Sequence, residues 1–510
     1  MKKHPRNIKY LTAVFFMLLI LTLFTAASFA QLTIDPGGLI SIKQGSSMYI
    51  GTDFKINAIN GSSGYFSDQT TNGDVTITGN VSVERYLVKN IWHNVASPVS
   101  SANSSVYVGT DLIFYYDETM IYNDWNFGWV MYSGALAPFR GYDVLDSSDV
   151  LVDYTGTGSS ALNTGSYTIG VTITNSTPSE IASHKGWNLV GNPYPSPVDW
   201  QATSGWNKTN INDAKYIWDG TNDQYTIWLG GGAPIGINGG TQYIPSNQGF
   251  WVQATSNGNF GIANAVRTGF ITGTPDYYKS DEFFDYPLVS LVARGDGHTD
   301  ETIVRFIEGT TKKFDRNWDA TKLFSMNPDV PQLYIENNGY EFALNTLPQI
   351  EENLYVPLDF KCAKAGYYTI NLTDRTNIGN HTELYLKDML EQKTINLRQE
   401  GSYGFYHDPE NDNARFKLLF NPSPDVLNGI TPDNYFSVYS NGNKIYIIKN
   451  TIKPLNGQVI VYNLQGQVIS THPLSENKRI QLTINKSTGY YIVRVQTNQS
   501  VINTKVLIFN

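Results

Sequence analysis

After residue 30 the apolar residues of this chain come in runs of three to seven, and most runs are closed by Gly, Asn or Asp. Runs of that length fit strands. A helix would need apolar positions at 3.6-residue spacing sustained over about ten residues or more. The punctuating residues are those that turns require, and DG and NG steps between runs favour tight hairpins. Composition agrees: charged residues are only 16% of the 510 and aromatic ones reach 13%, whereas soluble domains carry about 25% charge. A helical bundle would need far more Glu, Lys, Ala and Leu. The chain therefore reads as all-β.

The first thirty residues are set apart from this pattern. Lys2, Lys3, Arg6 and Lys9 precede the apolar run LTAVFFMLLILTLF at 11–24, and Ser28, Phe29 and Ala30 offer small-residue cleavage before Gln31. This is a Sec-type signal peptide, and its run is short for a membrane span of about 20 residues. Its loss takes the formal charge from -9 to -13. Without a basic field, nucleic acid is not an expected partner. Cys362 is the single cysteine, so internal disulfides and thiolate zinc sites are excluded.

Six segments follow from the rhythm of the sequence. After the signal peptide at 1–30, residues 31–85 alternate in short pulses such as DFKINAING and DVTITGNVSVERYL. Such pulses need stacked neighbours to bury a face, so they predict short β-repeats or a β-solenoid. Residues 86–272 repeat themselves. WHNVASPV at 92–99 returns as WNLVGNPYPSPVDW at 187–200, FYYDETMIYNDW at 114–125 as YIWDGTNDQYTIW at 216–228, and APFRGYDV at 137–144 as IPSNQGFWV at 244–252. Three landmarks in the same order predict two related β-modules or two halves of one larger domain. Residues 273–420, after the TGTP break at 272–275, carry partly alternating runs of a β-sandwich with wet outer faces. Residues 421–434 read as a linker, and 435–510 as a last strand-rich unit ending on a strand.

That last unit resembles the type A carboxy-terminal sorting domain of the Bacteroidota type IX secretion system. The resemblance lies in VIVYNLQGQV at 459–468, GYYIVRV at 489–495 and KVLIF at 505–509. The family's Tyr-Pro-Asn-Pro-like opening is replaced here by Val438, Tyr439, Ser440 and Asn441. The preceding segments VERYL at 83–87, WHNVASPV and GWNLVGNPYPS at 186–196 resemble large surface proteins of the same bacteria. The resemblance implies an immunoglobulin-like sandwich recognised by the outer-membrane translocon and commonly cleaved. It further implies a passenger released, or linked to surface lipopolysaccharide, after Sec export through the periplasm. The expected location is extracellular or anchored on the outer membrane.

The passenger's chemistry has to come from its residues. No nucleophile elbow, zincin, P-loop or CxxC pattern is present, and no catalytic residue is assigned. Trp125, Trp129, Trp218, Trp228 and Trp251 are the candidates for stacking on sugar rings, with core packing as their plain alternative. Asp296, Asp300 and Glu301 in RGDGHTDE, and Asp408, Glu410 and Asp412 in HDPENDN, are candidate Ca²⁺ ligands. Each cluster offers three carboxylates where Ca²⁺ takes six to eight oxygens, so a solvated loop is the simpler account. Asp117, Glu118, Asp219 and Asp223 lie beside aromatics, as the two carboxylates of a glycoside hydrolase could. The leading expectation is an adhesin-like surface protein with a glycan or surface-protein ligand. The alternatives are a polysaccharide-degrading enzyme or its accessory module, and a purely structural surface-layer component.

Overall fold

The computed structural model describes residues 31–70, 74–107, 112–120, 128–174, 182–269, 286–410, 415–422, 436–449, 456–474, 479–497 and 501–509. The signal peptide, the TGTP break and most of the 421–434 linker lie outside the described residues. The architecture is all-β.

The chain opens as a three-sided parallel coil. Leu32–Ile34, Phe54–Ile56 and Asn80–Leu87 stack in parallel as one side. Leu39–Ile42 with Tyr65–Asp68, and Met48–Ile50 with Val75–Ile77, form the other two. Strands this short point one or two residues inward each, and Ile34, Ile50, Phe54, Ile56, Phe66 and Ile77 meet in a shared core. Glycine lets successive coils close up: a Cβ on Gly79 would lie 2.4 Å from the Thr52 carbonyl carbon. Antiparallel pairing of Val150–Thr157 along all of Asn80–Leu87 then covers the last coil.

The repeated landmarks fold into two sheets of one design. The first runs His93–Val95, Tyr142–Leu145, Leu112–Tyr116, Trp129–Met131. The second runs Trp187–Gly191, Gly249–Ala254, Ile211–Asp219, Gln224–Leu229, with Ile235–Ile237 added at its edge. Registers match as well, since Asn94 faces Asp143 where Leu189 faces Trp251. The sheets touch directly. Trp251 Nε1 donates to Asn94 Oδ1 at 3.0 Å, and Asn94 Nδ2 donates to Asp143 Oδ1 at 2.8 Å. Burial raises the Asp143 carboxyl to about 7. The two copies are halves of a larger unit, joined through a core containing Tyr116, Trp187, Tyr216 and Trp251.

The sandwich expected over 273–420 is one eleven-stranded sheet curled on itself. Its pairings are antiparallel except where His298–Phe306 runs parallel to Tyr340–Leu347. The end strands Lys393–Asn396 and Ser402–His407 are joined by the single-turn helix Leu397–Glu400. Asn396 caps that turn by accepting from Arg398 N and Gln399 N, and Gly401 ends it at φ 72°. Residues 436–508 form a separate two-sheet sandwich. Three strands (Phe436–Asn441, Lys444–Lys449, Arg479–Thr483) face four (Val468–Pro473, Gly457–Asn463, Gly489–Thr497, Val501–Ile508).

Candidate functional site

Of the five tryptophans considered for sugar stacking, Trp218, Trp228 and Trp251 are built into the core. Trp251 is 0% exposed, Trp228 8% and Trp218 9%. Trp129 is half-buried, and its ring lies 5.5 Å edge-on from Trp251, with Tyr116 4.8 Å from Trp251. Trp218 packs edge-on to Tyr225 at 5.0 Å. Trp125 lies outside the described residues. The physical reason is double burial: the strand Ile211–Asp219 sends Ala214, Tyr216 and Trp218 into one core and Ile211 and Ile217 into another. No face of it is left for a sugar.

The carboxylates of Asp296, Asp300, Glu301 and Asp408 are likewise committed to protein partners. Asp296 sits in a turn at φ 49° and is ion-paired with Lys364. Asp300 and Glu301 are consecutive strand residues and so point to opposite faces. Asp300 accepts from Lys322 Nζ, Leu333 N and Asn238 Nδ2. Glu301 accepts from Ser290 Oγ at 2.6 Å and Asn238 N at 2.8 Å. Asp408 accepts from Glu410 N within its own turn, and Asp412 lies outside the described residues. Among the described residues no three His, Cys, Asp or Glu side chains converge on a metal position. The Ca²⁺ expectation at 296–301 is therefore corrected: that cluster is a joint between the second repeat and the curled sheet.

The carboxylates considered for hydrolysis are also engaged. Glu118 is buried and accepts from Thr174 N and Gly186 N. Asp117 and Asp219 cap their own turns through Thr119 N and Thr221 N. Asp223 Oδ2 accepts from Asn327 Nδ2. Cys362 is buried, with Sγ 3.1 Å from the Tyr368 hydroxyl. His184 and Glu341 lie 2.6 Å apart and tie the second repeat to the curled sheet.

The GWNLVGNPYPS stretch also serves assembly. Asn192 Nδ2 donates to the carbonyls of Ser196 and Pro245, both at 2.8 Å, and Asn192 Oδ1 accepts from Tyr194 N. This bracket holds Pro195, whose carbonyl accepts from Phe66 N of the coil. Asn192→Ala would leave these buried groups unsatisfied, each worth about 1–3 kcal/mol. A loss of about 3 kcal/mol in urea denaturation is expected; a change below about 0.5 kcal/mol would contradict the bracket's role.

What the sequence did not reveal is a concave surface on the outside of the curled sheet. Leu384–Asp388, Phe416–Phe420 and Leu354–Lys361 run side by side. Their alternate residues Leu386, Leu418 and Val356 face the core, leaving Lys387, Lys417 and Tyr355 outward, with Leu419 on the same side of the sheet but covered. Tyr355 is 55% exposed. It borders a depression of about 170 Å³ whose lining includes Asn353, Met389, Leu419, Lys387 and Lys417. A second hollow of about 310 Å³ adjoins it through Tyr355 and includes Glu351 and Glu352. The residues of the first hollow are far apart in the chain and are joined by strand register alone.

A family described as "Domain of unknown function (DUF8693)" matches residues 16–420. No curated protein matches the sequence. Among solved structures, a chain described as "Biofilm associated protein - BSP domain" aligns over 84% of this chain and 92% of its own, at 8% identity. The TM-score is 0.14, a superposition too poor to bear on fold or role.

Proposed function

Because the chain belongs to the DUF8693 family, whose match ends at residue 420 with the last strand of the curled sheet, we propose that residues 31–420 act as one rigid extracellular binding body of adhesin type, carried to the surface by a separable sorting domain at 436–510. The observation that carries this reading is the partition of the cores. One core draws together Tyr116 of the first repeat, Trp187 of the second and Leu344 of the curled sheet. The core of the terminal sandwich, including Val438, Ile447, Val461, Val493 and Val506, is drawn wholly from the tail. The tail meets the body where the rings of Tyr367 and Tyr439 stack at 4.7 Å.

The same division supports the type IX resemblance, in which a carrier domain must be readable, and removable, without disturbing its passenger. Recognition by the outer-membrane translocon and attachment to lipopolysaccharide belong to this proposal. A precursor lacking 435–510 is expected to fold its body and accumulate in the periplasm. Surface labelling should fall to background while the protease-resistant fragment persists in cell extracts. Surface display at the level of the intact chain would overturn the sorting role.

A further inference from the structure

We propose that the outward hollow at Tyr355, Lys387 and Lys417 binds an acidic polysaccharide, with a sugar ring on Tyr355 and its carboxylate between the two lysines. This deepens the binding role proposed above and rests on it.

Register places the charges. Lys387 lies directly opposite Lys417 on the neighbouring strand, and Lys417 opposite Pro357 on the next. Like charges directly opposite in a sheet are destabilising, so such pairs are usually separated or neutralised. Among the described residues neither lysine is ion-paired, whereas the nearby Lys312 and Lys393 each hold a glutamate. Two adjacent cations without a carboxylate partner stand out in a chain of net charge -9. It creates a local positive field that an anionic occupant would neutralise.

The apolar neighbours narrow the class of anion. Tyr355 and the covered Leu419 are register partners on the same face, and Met389 lines the hollow beside them. Lys417 Nζ lies over one face of the Tyr355 ring, 5.0 Å from its centre, so a sugar on this exposed ring takes the other face, with the cation beside it. A small inorganic anion would use the lysines and leave the aromatic surface wet. A uronic acid uses both: its C–H face covers the ring while its carboxylate bridges the ammonium groups. The adjoining hollow carries Glu351 and Glu352, and Lys312 pairs with Glu351 at 2.9 Å. The acidic unit is therefore favoured at the Lys387–Lys417 end, with neutral units extending past Tyr355.

The test is binding of the purified mature chain to polygalacturonate and to alginate by titration calorimetry, with dextran as the neutral control. Export plays no part in this measurement, so its failure would leave the sorting role standing. Saturable binding to an acidic polymer, absent with dextran, is expected. Tyr355→Ala should weaken it about tenfold. The double variant Lys387→Gln with Lys417→Gln should weaken it further and flatten its salt dependence. All three side chains lie on the outer face, and unchanged thermal unfolding would show that the variants remain folded. Absence of binding to both acidic polymers would overturn the proposal, as would variants that bind like the parent. Equal binding of dextran sulfate and single-stranded DNA would also overturn it, by showing a general polyanion surface.

Discussion

Lys215→Met is expected to make the body more stable by about 3 kcal/mol at pH 7. Lys215 is 1% exposed, on a strand buried from both sides. Its Nζ donates to the Tyr243 carbonyl at 3.2 Å, and Trp228 and Val252 are its neighbours across the sheet. Burial lowers its pKa from 10.5 to about 7, with Asp199 opposing the shift. Holding that ammonium in the fold at neutral pH costs on the order of 4 kcal/mol. Replacing it by an apolar chain of similar length removes the cost, less about 1 kcal/mol for the carbonyl left without a donor.

The pH dependence of that gain has a definite sign. Between pH 7 and 10.5 the unfolded lysine holds its proton while the folded one has released it, so the parent protein gains stability as pH rises. The advantage of the methionine variant should therefore be full below pH 7, shrink through this window and vanish near its top. Guanidinium denaturation of both proteins at pH 6, 8 and 10 measures it. An advantage of the same size at all three values would show that desolvation of the ammonium is not its source.

Asp388→Ala should have an effect of similar size and opposite direction. Arg415 Nη2 donates to Asp388 Oδ2 at 2.8 Å, Arg415 Nε reaches both carboxylate oxygens, and Tyr403 donates its hydroxyl at 2.9 Å. The carboxylate is fully buried, and the guanidinium lies over the rings of Phe405 and Phe416. This cluster holds the curled sheet where its two ends approach. Removing one partner strands a buried charge, at a cost of roughly 3–5 kcal/mol. Asp388→Leu combined with Arg415→Met should recover most of the loss, since no charge then remains buried. A double variant as unstable as the sum of the singles would show that the two side chains act independently.

Local rhythm made the coil and the repeat legible in the sequence, whereas the terminal sandwich was expected from the tail's resemblance to the sorting domain. Pulses of three strand residues ending in glycine can close only by stacking, and the three echoed landmarks fell on corresponding strands of two matching sheets. What rhythm cannot show is how many sides of a strand are covered. INDAKYIWD at 211–219 reads as a half-polar strand, yet Asn212 and Lys215 are as buried as Tyr216. The tryptophans beside it therefore looked available for sugars. Likewise, RGDGHTDE looks like one acidic cluster in one dimension. The strand pleat sends Asp300 and Glu301 apart, and Asn238 from another segment claims both. The hollow at Tyr355 was illegible for the converse reason: its two lysines and its tyrosine become neighbours only once three strands are in register.

The opening coil also sets a clock. Its outer side is completed by residues made long afterwards: Arg267 Nη2 donates to the Phe66 carbonyl across 201 positions, and Asn264 Nδ2 to the Thr70 carbonyl across 194. Arg85, in the strand that ends the coil, donates to the Asn247 carbonyl. Contacts of such separation form slowly, because the intervening chain must be closed into a loop before they repay its entropy. A chain delivered from its amino end thus presents its first coil early and finishes it late. The coil reaches its final state only after both repeats have emerged and docked.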